Sequence, residues 1–254
     1  MIEKVYYSKL GRVFVPMYEL LQRDQGARRV TVFDSINIEI NPSKTGERAI
    51  PFYAFEPRVT KEVIRLLKPN DTVLDVGAWI GYYSLIAAKM VGSKGRVIAV
   101  EPLSDNLARL ATNISLNGFE NIEIVAAAVG EQPGTGYLGR GVSSSTFRLS
   151  AKDQTEEVKL TTIDCIVDQH GLDSVELMII DVEGYENLAL KGASRCLSRG
   201  DVRNIICEVH PLYLKSYGLS EEDIMTFFEE TGFKVRLLDE RAGDRPFHLV
   251  AQSS

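Results

Sequence analysis

The sequence predicts a doubly wound α/β sheet, mostly parallel, with an antiparallel hairpin at its C-terminal edge and a small N-terminal extension. Three observations predict it. Short apolar runs, several ending on an acid, alternate with helical stripes along most of the chain. One run, Val175-Glu176-Leu177-Met178-Ile179-Ile180, is nearly continuous, as burial on both faces of a parallel sheet requires. A glycine turn, Asp75-Val76-Gly77-Ala78-Trp79-Ile80-Gly81, joins the apolar run Thr72-Val73-Leu74 to a helical pattern that opens at Tyr82.

The elements follow in order. Arg29 to Ile40 alternates apolar and polar positions, as a half-buried strand pair does, and residues 41–46 read as a loop or turn. Residues 1–53 are therefore taken as an extension carrying a strand pair, and 54–254 as the main domain. Val59, Val63, Ile64 and Leu67 share one helical face, and Pro69-Asn70-Asp71 stops that helix. After the glycine turn, Val97-Ile98-Ala99-Val100 forms a strand ending on Glu101-Pro102. Leu107, Leu110, Ala111 and Ile114 mark a helix that ends at Asn117-Gly118. Ile122 to Val129 reads as one strand. Residues 130–150, rich in Gly and Ser, read as a mobile loop or a hairpin covering the crevice. Val158–Ile163 is a short strand and Asp164–His170 a short helix. Ile205-Ile206-Cys207 leads to Glu208-Val209-His210-Pro211, and Ser220 to Asp223 forms a capping box ahead of Ile224, Phe227 and Phe228. Phe233–Leu238 and Phe247–Ala251 close the sheet.

The turn limits the ligand. Strand, glycine turn, helix and second strand with a terminal acid form a Rossmann-like unit that holds an adenosine across the strand ends, the acid taking the ribose hydroxyls. A dinucleotide fingerprint counted from Gly77 puts its second glycine at Trp79 and its third at Tyr82. An indole there blocks the backbone approach that a pyrophosphate needs. Asp75 repels a pyrophosphate and suits a cation. The pattern therefore predicts S-adenosylmethionine, which carries a net positive charge, in place of a nicotinamide or flavin dinucleotide.

Composition narrows the partners. The chain has 254 residues, 44% apolar and 25% charged, with a net charge of −6, which speaks against a general nucleic-acid binder. No signal peptide and no run of membrane-spanning length is seen, so the expected location is the cytoplasm. Cys165, Cys196 and Cys207 lack metal-ligand spacing and read as free thiols. Oligomeric state is left open.

Asp75, Glu101, Asp181 and Glu208 each end an expected strand, where ligands bind in such sheets. Four acids around one crevice call for a cationic ligand, a metal or shared protons. In Asp181-Val182-Glu183-Gly184-Tyr185-Glu186, Gly184 permits a sharp turn, and Glu186 reads as a helix-start charge. Glu208 and His210 share one side of their strand, and His210 has the chemistry of a general base. His170 and His248 read as structural.

From about Phe55 to Leu238 the chain resembles the FkbM family of S-adenosylmethionine-dependent methyltransferases. The resemblance rests on Asp75 to Ser84, Glu101-Pro102, the Ser143-Ser144-Ser145 loop, Ile180 to Glu186, and Glu208-Val209-His210-Pro211. It implies O-methylation of hydroxyls on small molecules or sugars, with cofactor roles for Asp75, Gly77 and Glu101. The wider candidate cofactor set is Asp75, Gly77, Ala78, Gly81, Tyr82, Glu101, Pro102, Ala128 and Asp181. Two positions depart from the family pattern. Trp79 stands where the family often has Asn, and Ile179 where it often has Lys two residues before the Asp.

The expected chemistry is direct displacement by a substrate hydroxyl, driven by positioning and by a base. The catalytic candidates are Asp181, Glu183 and His210. A divalent metal on Asp181 and Glu208, magnesium by its oxygen ligands, is an alternative that is not expected. The expected partner is a small-molecule or glycan acceptor. The rivals are an RNA, protein or amine acceptor, and a subunit that binds the cofactor without catalysis.

Overall fold

The computed structural model describes residues 26–140, 147–149, 154–239 and 243–253. Its centre is a seven-stranded sheet in the order β12-β13-β11-β10-β3-β4-β5. The inner strands are β3 (Thr72–Val76), β4 (Arg96–Glu101), β5 (Ile122–Ala126), β10 (Val175–Ile180) and β11 (Val202–Val209), all mutually parallel. β12 (Phe233–Leu237) and β13 (Phe247–Ser253) form the closing hairpin. β13 enters antiparallel between β11 and β12, so β12 is the outermost strand. Chain order runs outward from β3 to β5 and then returns to β10 on the other side. The switch point lies between β3 and β10.

Two cores sandwich the sheet. One gathers Met178, Ile180, Ile205 and Cys207 from the strands with Ile163, Ile166, Leu190, Leu197, Ile224 and Phe228 from α5 (Ile163–Gln169), α6 (Glu186–Lys191), α7 (Ser194–Ser198) and α9 (Glu221–Glu230). The capping box at α9 is present, with Ser220 and Asp223 exchanging bonds. The other core joins Val73, Val97 and Ile179 to α2 (Pro57–Leu66) and α3 (Tyr82–Val91). α3 is apolar almost all round because it is buried on several sides, and Leu85, Ala87 and Val91 are fully enclosed.

The N-terminal hairpin, β1 (Arg28–Val32) and β2 (Ile36–Ile40), contributes Val32, Ile36, Ile38 and Ile40 to this second core. Each such side chain stabilises by about 1.5–3 kcal/mol. Polar bonds add register. Asn117 of α4 (Ser104–Asn117) exchanges both bonds with the Asn37 backbone, at 2.8 and 2.7 Å. Asn113 accepts from the Glu39 N–H at 2.7 Å and donates to the Ile80 carbonyl at 2.8 Å. The hairpin is thereby tied to the glycine turn. The expected loop or turn at residues 41–46 is shorter, because α1 (Thr45–Ala49) opens within it. Its Glu47 is fully buried and takes a two-pronged bond from Arg109, at 2.7 and 2.6 Å.

A second, four-stranded sheet in the order β6-β9-β7-β8 lies beside the crevice. Residues 122–129 do not make one strand. They divide at Ala127, whose N–H bonds the Val125 carbonyl, and Ala128–Val129 (β6) pairs with β9 (Gln154–Thr161). β7 (Gly134–Arg140) and β8 (Phe147–Leu149) form a hairpin. Ser143-Ser144-Ser145 lies outside the described residues. Cys196 and Cys207 are buried free thiols, and Cys165 is partly buried. Among the described residues, no helix is long and apolar enough to cross a membrane.

Candidate active site

A cavity of about 640 Å³ opens at the switch point, beyond the carboxyl ends of the parallel strands. Gly77 makes it possible. Its φ is +93°, and a Cβ there would stand 1.8 Å from the Asp181 carbonyl oxygen. Only glycine lets the two strand exits come together, tied by Asp181 N–H to Val76 O at 2.9 Å. Trp79 and Glu183 also hold positive φ, +51° and +52°, without being glycine. Such strain gathers at functional sites.

One wall is built from the ends of β3 and β4. Glu101, 4% exposed, accepts from the Trp79 N–H and the Leu103 N–H, each at 2.9 Å, and from Asn106 Nδ2 at 3.2 Å. Burial pushes its carboxyl up to about 7 against those three bonds, with Asp181 adding to the rise. Asp75 does not line the cavity. It sits one layer behind, 2% exposed, accepting from Ser84 Oγ at 2.5 Å. Burial lifts it to about 6, although the Ser84 bond pulls the other way. Trp79 lines the cavity, its indole tilted 32° against Phe55 at 5.5 Å between centroids, where the indole and Phe55 form part of its roof. Lys44 and Gly46 from the N-terminal segment complete that side.

The opposite wall comes from the ends of β10 and β11. Asp181 faces the cavity with 38% of its side chain exposed, yet its Oδ1 is sealed and has no hydrogen-bond partner among the described residues. His210, just past β11, is 6% exposed. Its Nδ1 meets Glu186 Oε1 at 2.8 Å, and the same oxygen accepts the Gly184 N–H at 2.8 Å. Its Nε2 looks toward Glu183 Oε2 at 3.4 Å and toward Asp181 Oδ1 and Glu208 Oε2 at 3.9 Å. The ring stacks on Tyr213 at 5.7 Å.

Electrostatics separate the groups of this wall. Burial and the neighbouring Asp181 raise Glu183 to about 7, with His210 opposing. Burial raises Asp181, again opposed by His210. Glu208 is raised well above the carboxylate range by burial and by Asp181. For His210, burial works against the charged ring, but Glu186, Asp181 and Glu183 outweigh it and carry it to about 9.

Of the expected residues, Gly77, Glu101, Pro102, Ala128, Asp181, Glu183 and His210 meet in the cavity. Asp75, Ala78, Gly81 and Tyr82 form the layer beneath: Ala78 and Tyr82 are buried, and a Cβ on Gly81 would collide with Leu110. Two further residues bear on the site. Glu56 lines the cavity and accepts from Tyr83 Oη at 2.6 Å. His248, read from sequence as structural, pairs through Nδ1 with Asp239, while its Nε2 lies 3.5 Å from Glu56 and 3.9 Å from Glu208. The signal for His248 is its register opposite Glu208 in the antiparallel β11–β13 pair, which no local motif encodes. His170 stays on the surface side, bonded to Glu123.

Residues 75–235 match the sequence model of the methyltransferase FkbM domain. The chain belongs to the FkbM methyltransferase family. The solved methyltransferase FkbM from Methylobacillus flagellatus KT shares the fold, with a TM-score of 0.52 and 18% identity over 82% of this chain and 54% of that one. An rRNA methylase from Streptococcus thermophilus superposes with a TM-score of 0.50 and 11% identity, covering 77% of this chain and 93% of the other. Among curated proteins, the arsenite methyltransferase of Halobacterium salinarum is 33% identical over 67 residues, 26% of this chain and 17% of that protein. The chain spans between 17% and 34% of the length of the first four curated relatives that it matches. The FkbM match begins at Asp75 and ends within β12, so it contains the strand ends of both walls, while Lys44, Gly46, Phe55, Glu56, Asp244 and Pro246 of the lining lie outside it.

Proposed function

We propose that this chain is an S-adenosylmethionine-dependent methyltransferase that methylates a hydroxyl of a small molecule or sugar. The observation that carries this reading is the division of one cavity into a wall with Gly77 and Glu101 and a wall with Asp181, Glu183 and His210. The cavity fits the cofactor in two respects. Gly77 provides a cradle that a Cβ would fill. The lining sets six carboxylates (Glu56, Glu101, Asp181, Glu183, Glu208 and Asp244) against Lys44 and His210 among the described residues, which favours a cationic ligand.

Glu101 and the strand-end backbone at Gly77 hold the cofactor. Among the described residues, Glu101 Oε2 accepts a single protein bond, from Trp79, and keeps acceptor capacity for a ribose hydroxyl. Pro102 and Ala128 contribute apolar surface beside it. Asp75 acts from behind, fixing the start of α3 through Ser84. S-adenosylmethionine supplies the methyl group as an electrophile. On the opposite wall, Glu183 receives the acceptor's hydroxyl proton. His210, braced by Glu186, orients Glu183 and Asp181 about that oxygen. The acidic lining disfavours polyanionic acceptors such as RNA.

The test is a methyl-transfer screen with labelled cofactor against pooled hydroxylated metabolites, glycans and RNA. Label in a hydroxylated small molecule or glycan is expected. Label confined to RNA or protein, or none despite tight cofactor binding, overturns the acceptor assignment.

A further inference from the structure

We propose that Asp181, Glu208 and His210 bind a divalent first-row transition cation, with Mn²⁺ the best match to the donor set. One ligand atom from each lies within 4.8 Å of the others. His210 Nε2 stands 3.9 Å from both Asp181 Oδ1 and Glu208 Oε2. That is too far for hydrogen bonds. Donors around an octahedral ion with bonds near 2.1 Å lie roughly 3–4 Å apart, so a small inward shift closes the sphere.

Two features distinguish this cluster from an ordinary group of acids. The first is His210. Glu186 Oε1 already accepts the Gly184 N–H, so Nδ1 donates to it, and an incoming cation would replace the proton that Nε2 carries while the ring is charged. A buried imidazole braced by a carboxylate through one nitrogen is the arrangement that supports metal-ligating histidines. Nε2 makes no hydrogen bond among the described residues, and its nearest group is Glu183 Oε2 at 3.4 Å. The second is Asp181 Oδ1, buried without a hydrogen-bond partner among the described residues and the same atom that lies 3.9 Å from Nε2. This carboxylate oxygen and the imidazole nitrogen face each other across a gap in which a metal ion would replace the cluster's protons.

The mixed oxygen and nitrogen donors favour Mn²⁺ or a neighbouring transition ion over Mg²⁺ or Ca²⁺, which prefer oxygen alone. A second triad, Glu56, Glu208 and His248, has comparable spacing. There Glu56 already accepts from Tyr83, and among the described residues no carboxylate oxygen of that triad is both buried and unpartnered, as Asp181 Oδ1 is. Glu208 is therefore assigned to the His210 side. Because this site is on the cavity wall, its ion can take the acceptor's hydroxyl oxygen and increase its acidity. That role rests on the methyl-transfer reading above, whereas cation binding does not.

The experiment titrates metal-free full-length protein with Mn²⁺, without cofactor, by calorimetry and electron paramagnetic resonance. One site is expected, with spin-echo modulation from a single histidine nitrogen. His210→Ala and Glu208→Gln should weaken binding by about 100-fold or more, and Glu186→Gln, which frees the ring, by roughly 10–100-fold. The nitrogen signal is read on the unaltered protein and stands even if a variant fails to fold. Absence of binding below about 1 mM, or binding without the nitrogen signal, overturns the proposal. Parallel titration with S-adenosylmethionine separates the two readings. Cofactor binding without Mn²⁺ binding defeats this inference alone, and Mn²⁺ binding without cofactor binding defeats the methyl-transfer reading alone.

Discussion

The two walls of the cavity carry the same kind of residue in opposite conditions. At the ends of β3 and β4, each carboxylate is supplied with donors: Ser84 for Asp75, and two backbone N–H groups with Asn106 for Glu101. At the ends of β10 and β11, carboxylates face carboxylates. Among the described residues, Asp181 Oδ1 and Glu186 Oε2 are buried with no hydrogen-bond partner, and His210 is the cation they share. A buried acid that already has its donors is part of the scaffold, and its remaining acceptor capacity can be aimed. A buried acid without them is incomplete until something positive or protonated arrives. The first wall is finished for shape, and the second is held ready for charge.

The largest expected effect is at the seam between the walls. Gly77→Ala forces a Cβ into the Asp181 carbonyl at positive φ. It should cost on the order of 4 kcal/mol or more of stability, read by denaturant melts. A near-normal midpoint would show that the walls are not locked together there. Next is Glu183→Gln. Turnover should fall by about 10²–10⁴-fold once an acceptor is known. Unchanged rates would remove the base from the second wall.

Asp75→Asn tests the layer behind the first wall through pH. Asp75 is about 6 when folded, above its ordinary value of 3.8. As pH rises from about 4 to about 6 the unfolded chain ionises first, so the native state loses stability, and the loss persists above that range. The roughly two-unit shift corresponds to at most about 3 kcal/mol. The asparagine variant should lack that part of the slope and melt at higher temperature at pH 8. A variant less stable at pH 8 would mean that the Ser84 bond outweighs the burial cost. The smallest effect is a control far from both walls. Ser220→Ala removes the α9 capping box and should cost about 1 kcal/mol without altering ligand binding.

The same contrast explains what the sequence made legible. The first wall is local. Asp75, Gly77 and Trp79 lie within one turn, and Glu101 ends the next strand, so spacing alone predicts their neighbourhood. Alternating runs and stripes likewise predict the parallel sheet, the hairpin and the α9 cap. The second wall is assembled from distant segments. Asp181 and Glu208 could be placed at strand ends, but Glu56 and His248 enter through tertiary packing and an antiparallel register with no sequence mark. Trp79 was legible as a departure, while its contact with Phe55 was not, because Phe55 lies outside the turn. The break at Ala127 was hidden because both halves of the run are equally strand-like and only β9 decides where the second half pairs.

One measurement tests the division of labour most directly: calorimetric titration of S-adenosylmethionine into the unaltered protein, Glu101→Gln and Glu183→Gln. The account predicts that Glu101→Gln weakens binding by roughly tenfold or more, through loss of a charge-assisted bond worth about 1.5–3 kcal/mol, while Glu183→Gln stays within about threefold of the unaltered protein. The reverse pattern, with Glu101→Gln unchanged and Glu183→Gln impaired, would contradict it.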